Sequence, residues 1–139
     1  MIIRQADAKD INGITNLAKK YALDSEDMRA REFIVAEEDG KIVGIARLLQ
    51  HPDCDELCSL GVDEAYRKKQ IASRLIKAII GKSKRDLYLA TIIPDFFKPF
   101  GFIPVSQYPA GMHKKEEWCQ GCAHRDRCTI MKYAKTARA

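Results

Sequence analysis

The chain begins with apolar Ile2-Ile3 followed by polar Arg4-Gln5, a short first strand that ends at Ala6. Asp7 is placed to cap a helix in which Ile11, Ile14, Leu17, Ala18 and Tyr21 recur at three- and four-residue spacing. Asp24 to Arg31 is polar and reads as a short second helix or a loop. Glu32 to Glu38 is β-like, Asp39-Gly40 is a two-residue hairpin turn, and Lys41 to Leu49 is the returning strand. His51-Pro52-Asp53 breaks that strand, and Glu56 to Val62 predicts the next. Tyr66-Arg67-Lys68-Lys69 then leads into a helix with the stripe Ile71, Leu75, Ile76, Ile79 and Ile80, closed by Gly81 as a C-cap. Leu87 to Thr91 reads as a buried strand, and Pro94 suits the first turn of a short helix. Gly101 to Val105 and Thr129 to Tyr133 are the last β-like segments. This alternation predicts one mixed α/β domain over residues 1–139 with a single central sheet.

Composition narrows the class. With 139 residues, 46% hydrophobic and 31% charged, the chain has the size and balance of one globular core, not of a collagen-like, disordered or coiled-coil protein. No apolar run approaches the roughly 18 residues of a membrane span. The first residues lack a charged leader followed by an apolar stretch, so a cytoplasmic location is expected.

The formal charge of +5 is unevenly spread. Residues 113–139 hold seven basic and three acidic side chains, and residues 1–112 are nearly balanced at 17 and 16. That basic tail carries no nucleic-acid-binding motif, and with no apolar span neither nucleic acid nor membrane is expected as a partner. It does carry three of the five cysteines, in Cys119-Gln120-Gly121-Cys122-Ala123-His124-Arg125-Asp126-Arg127-Cys128. Cys119, Cys122, His124 and Cys128 have the chemistry of a Cys3His zinc site, with Cys54 as an extra ligand. Disulfide or redox use and packed thiols are the alternatives.

The strand–basic turn–helix segment carries the main chemistry. Unpaired N–H groups and the helix dipole make a helix start an anion site, and Arg67, Lys68 and Lys69 stand beside it. Val62-Asp63-Glu64-Ala65-Tyr66-Arg67-Lys68-Lys69-Gln70-Ile71-Ala72-Ser73 resembles the acetyl-coenzyme A signature of the GNAT acetyltransferases. Asp95-Phe96-Phe97-Lys98-Pro99-Phe100-Gly101-Phe102 resembles their second motif, at a similar separation and in the same order. The resemblance covers Ile2 to about Val105. It implies a GNAT fold: an α/β architecture with a mixed sheet of six or seven strands, splayed middle strands and flanking helices. It places the cysteine-rich segment 113–128 as an insert before the last strand, where acceptor specificity is set, as in bacterial amino-acid (glutamate-type) N-acetyltransferases.

By the same resemblance, Arg67, Lys68, Lys69, Gln70, Ile71, Ala72 and Ser73 form the pyrophosphate loop, Leu60, Gly61 and Val62 pair with the pantetheine arm, and Phe97 adjoins the coenzyme. The implied reaction is direct transfer of an acetyl group from acetyl-CoA to the amine of a small molecule, by a monomer or homodimer. Two positions depart from the pattern. Gln70 replaces a glycine, which predicts a looser loop or displaced phosphates. Phe97 replaces a tyrosine that would protonate the leaving thiolate, which leaves Tyr88, Tyr108 or water for that role. A coenzyme-binding or metal-sensing module with little activity is the alternative reading.

An attacking amine must lose a proton, so a base is required. Glu56 stands where some relatives place such a carboxylate; its other reading is a solvated charge at a strand edge. His51 and His113 are further candidates for the base; both lie near turns, where a plain surface histidine is the favoured reading. Strand alternation puts Cys58 on the face of Glu56 and Leu60, as a small core residue.

Overall fold

Asp7 sets the start of the first helix. Its Oδ1 accepts the N–H of Lys9 at 3.1 Å, and Asp10 Oδ2 accepts the N–H of Asp7 at 2.9 Å. This reciprocal cap opens a 3₁₀ turn at Ala8–Asp10, which runs into α1 (Ile11–Lys20). The hairpin forms as expected: Asp39 and Gly40 both take positive φ, 53° and 78°, between β2 (Phe33–Glu38) and β3 (Lys41–Gln50). β1 (Ile2–Gln5) pairs antiparallel with β2. The remaining elements are β4 (Asp55–Val62), α2 (Ile71–Lys82), β5 (Leu87–Thr91), α3 (Pro94–Phe97), β6 (Ile103–Pro104) and β7 (Thr129–Tyr133). The seven strands form one sheet in the order β1-β2-β3-β4-β5-β7-β6. It is mixed, because β4 and β5 run parallel through the pairs Asp55–Leu87 and Glu56–Tyr88. The computed structural model describes residues 1–23, 27–112 and 128–135.

Packing divides the chain into two units. The first combines Met1–Leu49 with Leu57–Lys82. Its core joins Ala6, Ile14, Leu17 and Ala18 to Phe33, Val35 and Ile45. The stripe of α2 is buried at Ile71, Leu75, Ile76 and Ile79. Gly44 on β3 lets that stripe approach, since a Cβ there would stand 2.9 Å from Ile71 and 3.1 Å from Leu75. The second unit combines Gln50–Glu56 with the described residues from Ser83 onward. Cys54, Tyr88 and Met112 form its buried cluster, with Val105, Tyr108 and Ile130 packed on it.

Two expectations about elements change. Gly81 lies inside α2, which continues to Lys82, and so is not its cap. Gly101 does not start a strand: its φ of 102° ends a 3₁₀ turn at Lys98–Phe100, and β6 is only two residues long. Of the polar stretch 24–31, residues 24–26 lie outside the described residues, and Ala30–Glu32 forms a 3₁₀ turn.

Candidate functional site

The first unit holds the helix start that the sequence marks as an anion site. Asp63 ends the strand: its N–H bonds to Val43 O at 2.8 Å, and its Oδ1 accepts the N–H of Ala65 at 3.0 Å. This opens a 3₁₀ turn at Glu64–Lys69, followed by Gln70 at φ 58°, ψ 27°. Gln70, where the resembled signature has a glycine, takes the left-handed conformation itself. The chain thereby reverses into α2, whose first backbone bond is Arg74 N–H to Gln70 O at 3.2 Å. The N–H groups of Ile71, Ala72 and Ser73 lie in the first helical turn, which has no intrahelical acceptor to offer them.

Arg67 is exposed and fixed in direction. Its Nε donates to Val62 O at 3.0 Å, and its guanidinium lies 4.8 Å from the ring centre of Tyr21. Tyr21 also accepts the N–H of Glu64 through its hydroxyl at 2.8 Å. The sequence shows Tyr21 only as part of the α1 stripe, so this bracing role was not visible there. Lys68 and Lys69 belong to the same turn. Leu60 and Gly61 are half-buried and Val62 is buried.

Ser59 bears on the rest of β4. It has φ 49° within the strand, and that left-handed residue interrupts the twofold alternation of side chains. The face of Leu60 therefore does not follow from that of Cys58. Cys58 is half-buried, not the core residue expected, while its neighbour Leu57 is buried.

The second unit holds Glu56. Its side chain is 2% exposed, which rules out the solvated strand-edge reading. His51, expected at the surface, is 8% exposed, and its Nε2 lies 2.8 Å from Glu56 Oε1. Two residues with no sequence signal hold this pair. Gly111 packs against the imidazole so closely that a Cβ would fall 2.8 Å from His51 Cγ. Its N–H donates to Asp53 Oδ2 at 3.2 Å. Arg85 gathers the loop: it donates to the carbonyls of His51, Pro52 and Cys54 and, at 2.9 Å, to Asp55 Oδ1. Ser83 Oγ donates to Asp55 Oδ2 at 2.9 Å. Burial, with the negative charge of Asp53 beside it, pushes the Cys54 thiol up to about 12, so it stays protonated near neutrality. Tyr88 faces Glu56 in register and is buried, and Tyr108 packs on the same cluster. Both hydroxyl candidates for the leaving-group proton therefore belong to the unit that carries Glu56.

Phe97 is 7% exposed and sits in an aromatic row: Phe96 at 5.1 Å, Phe102 at 6.0 Å, then Tyr133 at 5.6 Å from Phe102. Cys119, Cys122, His124 and His113 lie outside the described residues, and Cys128 is half-buried. Among the described residues, no three His, Cys, Asp or Glu side chains are grouped to hold a metal ion. No helix among them is long and apolar enough to cross a membrane.

The model of the acetyltransferase (GNAT) family matches residues 7–102. No curated protein matches the sequence. Among solved structures, Rv2747 from Mycobacterium tuberculosis, in complex with CoA and NLQ, is similar at a TM-score of 0.75 and 20% identity, over 96% of this chain and 99% of that one. N-acetylglutamate synthase from Neisseria gonorrhoeae, complexed with coenzyme A and N-acetyl-glutamate, is similar at 0.76 and 24% identity over 96% of this chain. The chain spans only 34% of that synthase. An aminoglycoside 6'-acetyltransferase type Ii is similar at 0.71 and 21% identity, over 97% of both chains.

Proposed function

Because the chain belongs to the acetyltransferase (GNAT) family, we propose that it acetylates the primary amine of a small molecule, an amino acid such as glutamate, with Glu56 as proton acceptor. Membership makes it an acetyl-CoA-dependent acetyltransferase; the acceptor and the residue roles are the proposal. The observation that carries the base assignment is the buried His51–Glu56 pair at 2.8 Å. A carboxylate removed from water is suited to taking a proton from an ammonium group, whose N–H electron pair then stays on nitrogen as the nucleophile. That nitrogen attacks the thioester carbonyl, the C–S bond breaks, and the second proton lost by the nitrogen ends on the departing sulfur, so that coenzyme A leaves as the thiol.

Coenzyme binding is assigned to the turn and helix start from Arg67 to Ser73. Backbone N–H groups of the first turn of α2 bind the pyrophosphate there, and the braced guanidinium of Arg67 adds positive charge. Leu60, Gly61 and Val62 pair with the pantetheine arm, and Phe97 adjoins it. An acidic amino acid, glutamate foremost, is favoured as acceptor by the basic Lys114, Arg125 and Arg127 of the cysteine-rich insert, and by the N-acetyl-glutamate bound to the Neisseria synthase. Phe97, which has no hydroxyl, favours one other reading, a coenzyme-binding module with little turnover.

The test is a panel of L-glutamate, L-aspartate, L-lysine, benzylamine and kanamycin with acetyl-CoA, the products identified by mass. Acetylated glutamate or aspartate supports the acceptor class; preference for benzylamine or kanamycin removes it. Arg67→Glu is expected to weaken coenzyme binding about ten- to a hundredfold by titration calorimetry, the scale of a charged hydrogen bond lost and reversed. Unchanged affinity would remove Arg67 from the phosphate site.

A further inference from the structure

We infer that the groove between α1 and the start of β3 is a binding site for a small aliphatic monocarboxylate, whose charge is held by Lys20 and Lys41 and whose chain lies on Leu17 and Ile42. The groove encloses a cavity of about 300 Å³, lined from the first unit. That is the low end of ligand-pocket sizes and suits a molecule of few atoms. One face of α1 lines it, because residues 13, 16, 17 and 20 recur at helical spacing. Buried Leu17 and half-buried Ile42 form its apolar side. Gly13 brings α1 close to β3 there, since a Cβ at that position would stand 3.0 Å from Ile42 Cγ1. Asn16 adds one exposed amide.

The charges of the groove are arranged around one fixed carboxylate. Asp63 is 7% exposed; its N–H is bonded to Val43 O, and its Oδ1 accepts the N–H of Ala65. Its other oxygen, Oδ2, draws in Lys20 from α1 at 3.9 Å and Lys41 from β3 at 4.0 Å. Both separations exceed a hydrogen bond, so each ammonium keeps N–H donors for a ligand or for water. Among the described residues, no other carboxylate lies within ion-pair reach of either lysine. Two positive charges therefore face one negative charge, and one positive charge is left unbalanced.

That imbalance favours a ligand with a single negative charge. A cation would meet two like charges, and a dianion would overshoot the balance beside buried Asp63. The apolar side favours a short hydrocarbon chain over phosphate or sulfate, which would leave Leu17 and Ile42 against water. Among the described residues, none of those assigned to the coenzyme from Arg67 to Ser73 lines the cavity.

The test titrates the ¹⁵N-labelled full chain with sodium butyrate against matched sodium chloride, with and without saturating coenzyme A, and follows the backbone amide shifts. Saturable shifts at Gly13, Asn16, Leu17 and Ile42 are expected, with a Kd on the order of 1 mM for a ligand of this size, and they should persist with coenzyme A bound. Butyramide has the shape without the charge, and inorganic phosphate the charge without the chain; each should bind at least about tenfold more weakly. Lys20→Met and Lys41→Met should each weaken butyrate about tenfold, while Lys20→Arg and Lys41→Arg should keep most of the affinity. No saturable shift at these residues up to about 50 mM butyrate overturns the inference. Equal binding of butyramide or of phosphate overturns it too, as does binding undiminished in both methionine variants. Shifts confined to Ile71, Ala72 and Ser73 that coenzyme A abolishes would put the anion at the coenzyme turn and overturn it as well. Butyrate carries no amine, so none of these outcomes bears on acetyl transfer.

Discussion

At Gln70 a side chain occupies a conformation that glycine adopts without cost. A left-handed residue with a Cβ is disfavoured by about 1–2 kcal/mol, and glycine returns about 0.5–1 kcal/mol of that through unfolded-chain entropy. Gln70→Gly should therefore stabilise the protein by about 0.5–1 kcal/mol, read as a rise of about 2–4 °C in Tm. A lower Tm would mean that the glutamine side chain makes a compensating contact. The motif shows which residue stands in the turn but not its φ. His51 is a residue misjudged from local pattern. A histidine next to Pro52 resembles a surface turn, and what buries it includes Gly111, sixty positions later in the chain.

Elements were more legible than their ends. The α2 stripe, the Asp39-Gly40 hairpin and the cap at Asp7 follow from spacing and local chemistry, and all three form. Gly81 misled because glycine is common at helix ends, yet α2 continues through it and a Cβ there would meet nothing within 4 Å. Gly81→Ala should accordingly stabilise by up to about 1 kcal/mol, checked by urea unfolding; destabilisation would contradict the open space. The start of α1 also ties elements together. Arg4 on β1 grips both oxygens of buried Asp10, at 2.7 and 2.9 Å, and Glu37 on β2 at 2.7 Å. The Arg4 hydrogen bonds, against the opposing effect of burial, hold the Asp10 carboxyl well below its usual range. The folded state thus binds a proton less readily than the unfolded chain, whose aspartates titrate near 3.9. The resulting stability is fully present above about pH 5 and drains as the pH falls below about 4. Asp10→Asn should cost about 1–3 kcal/mol near neutrality, and the gap to wild type should close in acid. A gap independent of pH would show that charge is not what Asp10 supplies.

For the molecule as a whole, family motifs and element order carried the fold, because a strand, a basic turn and a helix are contiguous in sequence. The surroundings of Glu56 could not be read in the same way. Glu56 was named from its place in the resemblance, but its neighbour His51, five positions earlier, is held by Arg85 and Gly111, which lie far along the chain. The +5 charge is likewise a poor guide, since the first 112 residues are almost balanced. The central claim is that this chain turns over acetyl-CoA on an amine. Continuous detection of free coenzyme A thiol, with and without saturating L-glutamate, tests it most directly. The account predicts thiol release that depends on the amine, saturates with acetyl-CoA and is largely lost in Glu56→Gln. Tight binding of acetyl-CoA with no thiol release on adding glutamate or any other amine of the panel would contradict it.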